Sequence, residues 1–387
     1  MDFPFVWAEV DLEAIAHNVR ELRRITDSGA DLMAVVKANA YGHGVVEVTR
    51  KALENGADSL GVARIQEGIE LRKAGVKESV LIFGYTPPAS AHKLIEFDLT
   101  QTVWSYNTAR AVSDVAVSSN KKIKVHLKVD TGMGRLGLLP DCRQPPVANQ
   151  NLMGNAIREV ESISSLAGLE LEGVYTHFAS ADSSDKTYAG KQFEIFIEFL
   201  NELRRTGMNP PLCHAANSAA IIDMPETHLD MVRAGIAIYG LYPSDEVNRH
   251  RIVLKPAMTL KSKIVHLKKV PPGFKVSYGS TYQTPKPTII ASIPVGYADG
   301  FNRLLSSRGH MLVRGRRAPI AGRVCMDQTM LDVGHIPDVN LEDEVVIFGK
   351  QKDESITVDE IAVSLNTINY EIVSALTARV PIIYPKH

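Results

Sequence analysis

Residues 32–37 read Leu32-Met33-Ala34-Val35-Val36-Lys37. An unbroken apolar run of this kind, with no polar alternation, marks a strand buried on both faces. A polar, glycine-containing segment precedes it and Lys37 closes it, which suits a short buried strand. Upstream, Leu12, Ile15, Val19, Leu22 and Ile25 recur at three- and four-residue intervals. That spacing predicts an amphipathic helix, with Asp11 as its cap. The alternation then repeats. Strand-like runs fall near 59–63, 79–84, 100–104, 123–129, 170–176, 211–214 and 230–234, with helical patterns between most of them. The clearest helix is Gln192 to Arg205, where Phe193, Phe196, Leu200 and Leu203 share a stripe and Gly207 is placed to end it. With the run at 32–36, eight strand candidates lie within about 240 residues. That count predicts an α/β fold, a (β/α)8 TIM barrel. Periodicity leaves a doubly wound open sheet as the alternative.

After Tyr239-Gly240-Leu241-Tyr242-Pro243 the texture changes. Strand runs separated by turns follow at 264–267, 288–294, 311–313, 330–333 and 345–348, with one helix from Val358 to Leu365. Pro271-Pro272-Gly273 and Arg314-Gly315-Arg316 read as turns. The expected division is a barrel over residues 1–243 and a mostly β domain over 244–387. Residues 141–154 carry Pro145-Pro146 and little apolar content, and read as a loop within the barrel.

Charge and composition narrow the class. The 387 residues hold 43 basic and 44 acidic side chains, for a net charge of −1. This balance argues against a dedicated nucleic-acid binder. Three cysteines make no disulfide framework, and an odd number suits a reducing compartment. Met1-Asp2-Phe3-Pro4 lacks the basic-then-apolar pattern of a signal peptide, and no run is long enough to span a membrane. A cytoplasmic location is expected.

In a barrel, chemistry gathers at the C-terminal strand ends. There the sequence places Lys37 to Gly44, Lys128 to Arg135, Thr176-His177, His214 to Ser218, and Arg233 to Ile236. A lysine closing an apolar strand is ordinarily its exposed end. Desolvated, it loses pKa and becomes a Schiff-base nucleophile. Ser218 with the backbone of Gly235 and Ile236 suits a phosphate, with ordinary turn chemistry as the alternative. His177 and His214 lack a compact ligand pattern, so packed, hydrogen-bonded histidines are expected rather than a metal site. The basic run Arg314 to Arg323 has no interleaved aromatics and reads as a solvated hairpin. Cys325 has no obvious base and reads as a small core residue.

Nine motifs, in order, give the chain a further resemblance. They are Ala34 to Gly44 (AVVKANAYGHG), Lys128 to Gly137 (KVDTGMGRLG), Tyr175 to Phe178, His214 to Ser218 (HAANS) and Val232 to Gly240 (VRAGIAIYG). Then come Val276 to Gly279, Gly296 to Gly300 (GYADG), Val324 to Gln328 and Asn369 to Glu371. Together they resemble the alanine racemases, pyridoxal-phosphate enzymes of bacterial wall synthesis that join a (β/α)8 barrel to a β domain. The resemblance implies interconversion of L- and D-alanine by two bases, supplying D-alanine for peptidoglycan. It implies that Lys37 binds pyridoxal 5'-phosphate covalently. Tyr41, Ser218, Gly235, Ile236 and Tyr370 would form the phosphate group. Arg233 would face the pyridine nitrogen, with His177 beside the ring. Tyr278 would be the second base, supplied with the Met326 backbone by the partner of a homodimer. Arg135 would contact the substrate carboxylate, and Lys128 would be a site of carbamylation. No metal is implied.

Racemisation needs one base on each face of a planar intermediate. Lys37 suits one face and Tyr278 the other. A tyrosine ordinarily ionises only near pH ~10, so Arg233 and His177 are the candidate cationic neighbours that stabilise it. A guanidinium does not yield its proton, so the ring nitrogen facing Arg233 stays unprotonated and the ring becomes a weaker electron sink. Alternatives on the same scaffold are a broader racemase acting on serine or other amino acids, an aldolase or a decarboxylase. A non-catalytic cofactor-binding barrel is a further alternative. It has no β domain.

Overall fold

A computed structural model describes residues 4–140 and 151–385. The chain forms two compact units, neither of them continuous in sequence. One comprises Glu13–Ala40 and Val45–Pro256. The other comprises Met1–Leu12, Tyr41–Gly44 and Ala257–His387. The first strand, β1 (Val6–Val10), therefore belongs with the C-terminal residues.

The first unit is a closed parallel barrel of eight strands. These are β2 (Asp31–Val35), β3 (Ser59–Val62), β4 (Val80–Ile82), β5 (Thr100–Val103), β6 (Ile123–Lys128), β7 (Leu169–Tyr175), β8 (Leu212–His214) and β9 (Met231–Ala234). Each corresponds to one of the apolar runs. Closure comes from β2 pairing with β9, Met33 opposite Arg233, which excludes the open sheet. The strands are buried because helices cover the outer face and side chains fill the interior. The helix Leu12–Ile25 buries Ile15, Val19 and Leu22 on the expected stripe. It also buries Asn18, whose amide donates to Ile238 O (3.0 Å) and Lys255 O (2.8 Å) and accepts from Lys255 N (2.8 Å). Buried polar groups persist when paired in this way. The helix expected from Gln192 starts earlier, spanning Thr187–Arg205. Of the expected loop, residues 141–150 lie outside the described residues. Its last residues belong to a helix, Leu152–Ser164, capped by Asn151.

In the second unit β1 sits between two partners distant in sequence. Ala8 faces Leu260 of the antiparallel strand Met258–Lys263 and Ile382 of the parallel strand Ile382–Ile383. A separate three-stranded sheet contains His266–Val270, Thr288–Ile293 and Thr329–Asp332. The apolar run at 264–267 is thus not one strand. The chain changes sheets at Ile264-Val265, where Ile264 is buried and Val265 is exposed. Strand His310–Val313 pairs with Arg316–Pro319 across Arg314-Gly315, the expected hairpin. Arg317 on it is tied to Glu354 and Glu360.

Candidate active site

The chain leaves β2 through Val36 and Lys37 and then winds the wrong way. Ala38, Asn39 and Ala40 have φ of 53°, 53° and 52°, and Ala40 N donates to Val36 O at 2.9 Å. This is one turn of left-handed helix, disfavoured for L-residues by about 1–2 kcal/mol each. Side chains hold it. Glu67 Oε1 accepts from Ala38 N at 2.7 Å, and Asn39 Oδ1 accepts from Val45 N at 2.9 Å. The turn leaves Lys37 mostly out of water. Burial lowers its pKa, Arg135 adds to that, and Glu67 opposes it.

Arg233, on β9, is the hub of the barrel unit. It is buried, and burial pushes its pKa down to about 10, so it remains a cation at neutral pH. Its Nη2 donates to Thr176 O (2.7 Å) and Ala215 O (2.9 Å) and meets His177 Nδ1 at 3.2 Å. Its Nη1 meets His214 Nδ1 at 2.9 Å. A guanidinium carries five N–H groups. These contacts use both hydrogens of Nη2 and one of Nη1, so the Nε hydrogen and one on Nη1 remain to serve a ligand. Since Arg233 only donates, His177 Nδ1 accepts. Burial first, then the Arg233 charge, keeps His177 well below the ordinary histidine pKa. His177 is therefore neutral, so of the two expected cationic neighbours only Arg233 carries charge in this structure.

Lys128 ends β6. It is buried, and its Nζ has no hydrogen-bond partner among the described residues. It lies over the Tyr175 ring, 4.8 Å from the centroid. Burial, then Arg233 and Arg135, push its pKa well below the usual value, against Asp130. Lys37, Lys128, Arg135 and Arg233 thus act on one another electrostatically as one group of basic side chains. The loop beyond β6 is shaped by Asp130, whose Oδ1 accepts from Gly132 N (2.9 Å) and Gly134 N (3.1 Å). Ser218 opens the helix Ser218–Asp223, and its Oγ accepts from Gly235 N at 2.8 Å. Gly235 in turn precedes the single-turn helix Ile236–Tyr239, so Ser218, Gly235 and Ile236 come together.

In the second unit, Tyr41 and Tyr370 are neighbours, ring centroids 6.1 Å apart. Gly42 lies at φ 83°, where a Cβ would sit 2.3 Å from Val373 O, so only glycine lets this segment approach the helix Asn369–Ser374. Tyr278 is 71% exposed and Met326 52% exposed. Tyr278, Ser277, Cys325 and Gln328 line one open hollow. Cys325 is only half-buried, with Ser277 Oγ 3.5 Å from its Sγ.

The family model for the alanine racemase N-terminal domain matches residues 10–243, and that for the C-terminal domain matches residues 257–384. The chain belongs to the alanine racemase family. It is 55% identical to the alanine racemase of Desulfosudis oleivorans over 381 residues, covering 98% of this chain and 96% of that protein. It is 50% identical to that of Methanococcus maripaludis, covering 98% of each. Among solved structures, alanine racemase of Clostridium difficile 630 superposes with a TM-score of 0.93 at 38% identity, covering 100% of this chain and 97% of that one. The Bacillus anthracis enzyme with bound L-Ala-P gives 0.91 at 38% identity, covering 100% and 96%. Family members are pyridoxal-phosphate-dependent isomerases. No described helix is long and apolar enough to cross a membrane.

Sequence reasoning passed over His126, Glu172 and Tyr175 as parts of the site's support. Tyr175 stacks on His214 with centroids 4.7 Å apart. A signal existed in Ile123-Lys124-Val125-His126-Leu127-Lys128. Its polar residues alternate, and in a barrel strand that alternation marks an interior-facing polar row.

Proposed function

We propose that this chain is an alanine racemase that binds pyridoxal 5'-phosphate through Lys37 and works as a homodimer. The carrying observation is the Lys37 amine at the C-terminal end of the first barrel strand, where burial and a nearby arginine hold its pKa down. A lysine that anchors a carbonyl cofactor and then moves protons reacts as the neutral amine, and a lowered pKa makes that form easier to reach. The residues fit the group. Arg233 keeps two donors to offer a ring nitrogen, and its charge suits a phosphorylated, anionic ligand.

Bound pyridoxal phosphate supplies an electron sink that acidifies the substrate Cα–H. Ser218, Gly235 and Ile236 hold the phosphate from the barrel, with Tyr41 and Tyr370. Arg233 fixes the ring and His177 lies beside it. When the substrate amine takes its place, Lys37 Nζ exchanges the Cα proton on one face. Tyr278 Oη of a second copy exchanges it on the other, and its exposure in the single chain leaves it available for that. Arg135 and the partner's Met326 backbone orient the carboxylate. Lys128 is a site for carbon dioxide. Its neutral amine adds to the carbon and loses a proton, turning an unpaired buried amine into an anion facing Arg135. The product D-alanine supplies peptidoglycan, and a cytoplasmic location suits that role.

The test is incubation with L-alanine in deuterated water. D-alanine carrying deuterium at Cα is the expected product, together with a visible cofactor band lost on borohydride treatment. D-alanine without solvent deuterium, or no D-alanine, refutes the reading. Sedimentation of the active protein as a monomer refutes the shared site.

A further inference from the structure

Five side chains, Arg233, His214, His126, Glu172 and Lys124, make one continuous chain of four contacts from the barrel interior outward. Arg233 Nη1 is 2.9 Å from His214 Nδ1. His214 Nε2 is 2.9 Å from His126 Nδ1. His126 Nε2 is 3.4 Å from Glu172 Oε2. Glu172 Oε1 accepts from Lys124 Nζ at 2.8 Å.

The barrel is built to permit this chain. His126 lies on β6 and His214 on β8, alternate strands of the kind that share an interior layer. On β7, between them, stands Gly173, where a Cβ would fall 2.7 Å from the His126 ring. The β6–β7 register also shifts here. Val125 faces Leu171 and His126 faces Gly173, so Glu172 is an extra residue, a bulge that re-aims its carboxylate.

The direction of the hydrogen bonds is forced. A guanidinium only donates, so His214 Nδ1 accepts. A neutral imidazole then carries its proton on Nε2 and donates it to His126 Nδ1. His126 is left with its proton on Nε2, the nitrogen that faces the Glu172 carboxylate at an ion-pair distance of 3.4 Å. Every proton points from Arg233 toward Glu172. Burial, then the Arg233 charge, keeps His214 well below the usual histidine pKa, and burial lowers His126. Glu172 is held down to about 2, by His126 first and with Lys124 contributing, so it is an anion.

We propose that His126 and Glu172 are positioning residues for Arg233. They lock His214 in the tautomer that accepts from the guanidinium and so hold Arg233 in one orientation toward the cofactor ring nitrogen. What Arg233 faces rests on the racemase reading; the tautomer lock rests on the barrel interior alone. Without the lock, His214 is free to carry its proton on Nδ1, where it opposes an Arg233 N–H.

Histidine 15N NMR of the cofactor-loaded protein reads the lock directly. His214 and His126 are expected as neutral Nε2–H tautomers across neutral pH. A proton on His214 Nδ1 overturns the proposal. Kinetics supply the second arm. His126→Leu leaves the His214 N–H without an acceptor, and kcat is expected to fall about tenfold with KM for alanine little changed. His126→Gln accepts with Oε1 and donates with Nε2, and is expected to restore most of kcat. Equal kcat in both variants with an unchanged His214 tautomer overturns the role. A wild-type protein that makes no D-alanine refutes the racemase reading instead, and leaves the tautomer result standing.

Discussion

Ala38→Gly distinguishes the left-handed turn after Lys37 from an ordinary helical start by the sign of its effect. Ala38 is exposed and sits at φ 53°, ψ 52°. Its methyl buries nothing, so removing it loses no packing. Glycine relieves the left-handed strain, about 1–2 kcal/mol for one residue. It also gives the unfolded chain more freedom, which subtracts about 0.4–1 kcal/mol. The balance is a net stabilisation of about 0.5–1 kcal/mol. In a right-handed helix the same change destabilises by about 1 kcal/mol. Ala111→Gly, inside the right-handed helix Tyr106–Ser118, is the matched control. The assay is calorimetric melting at one scan rate, where about 1 kcal/mol moves Tm by roughly 2–4 °C in a domain of this size. Ala38→Gly is expected to melt at or above wild type and Ala111→Gly below it. If both fall together, the turn is not left-handed and the placement of Lys37 argued from it is wrong.

Two further outcomes follow from the buried cations. In buffer stripped of carbon dioxide, Lys128→Met is expected to raise stability by about 1–3 kcal/mol, since it removes a buried amine without a partner. Bicarbonate should raise the melting temperature of wild type only, and a wild type indifferent to bicarbonate refutes the carbamate. The sign with pH is set by the depressed Lys128 pKa. The unfolded chain binds that proton more tightly, so the unmodified protein gains stability as pH rises from the folded-state pKa toward the ordinary 10.5. Arg233→Glu offers the ring nitrogen a proton and should make transamination more frequent per turnover, read as pyridoxamine phosphate formed during alanine racemisation. No increase refutes the claim that Arg233 keeps the ring a weak electron sink.

The barrel was legible because most of its strands are local runs bounded by turn residues, apolar as in Leu32–Val36 or alternating as in Ile123–Lys128, and locality is what a sequence displays. The helix face of Ile15, Val19 and Leu22 was legible for the same reason. β1 was not, because Val6–Val10 is a strand only by virtue of partners far along the chain, Ala8 facing Leu260 and Ile382. The turn at Ala38 to Ala40 was hidden by its own composition. Alanine favours the right-handed helix more than any other residue, and here Glu67 and Asn39 override that preference. Lys37, Arg233 and Ser218 stood out as polar groups at strand ends. His126 and Glu172 did not, because their meaning lies in which residues the barrel closure brings beside them.

The placement of β1 also sets an order in time. It is made before the barrel strands, yet its antiparallel partner Met258–Lys263 and its parallel partner Ile382–Ile383 are made after them. At about 5–20 residues per second, β1 waits some 12–50 s for the first of them. The barrel strands between are complete by then. The second unit therefore cannot finish before Ile383 is made, and until then Val6–Val10 carries an unpaired strand edge. Early chain termination, even a few residues short of Ile382, would release a protein whose barrel is whole and whose first strand still lacks one partner.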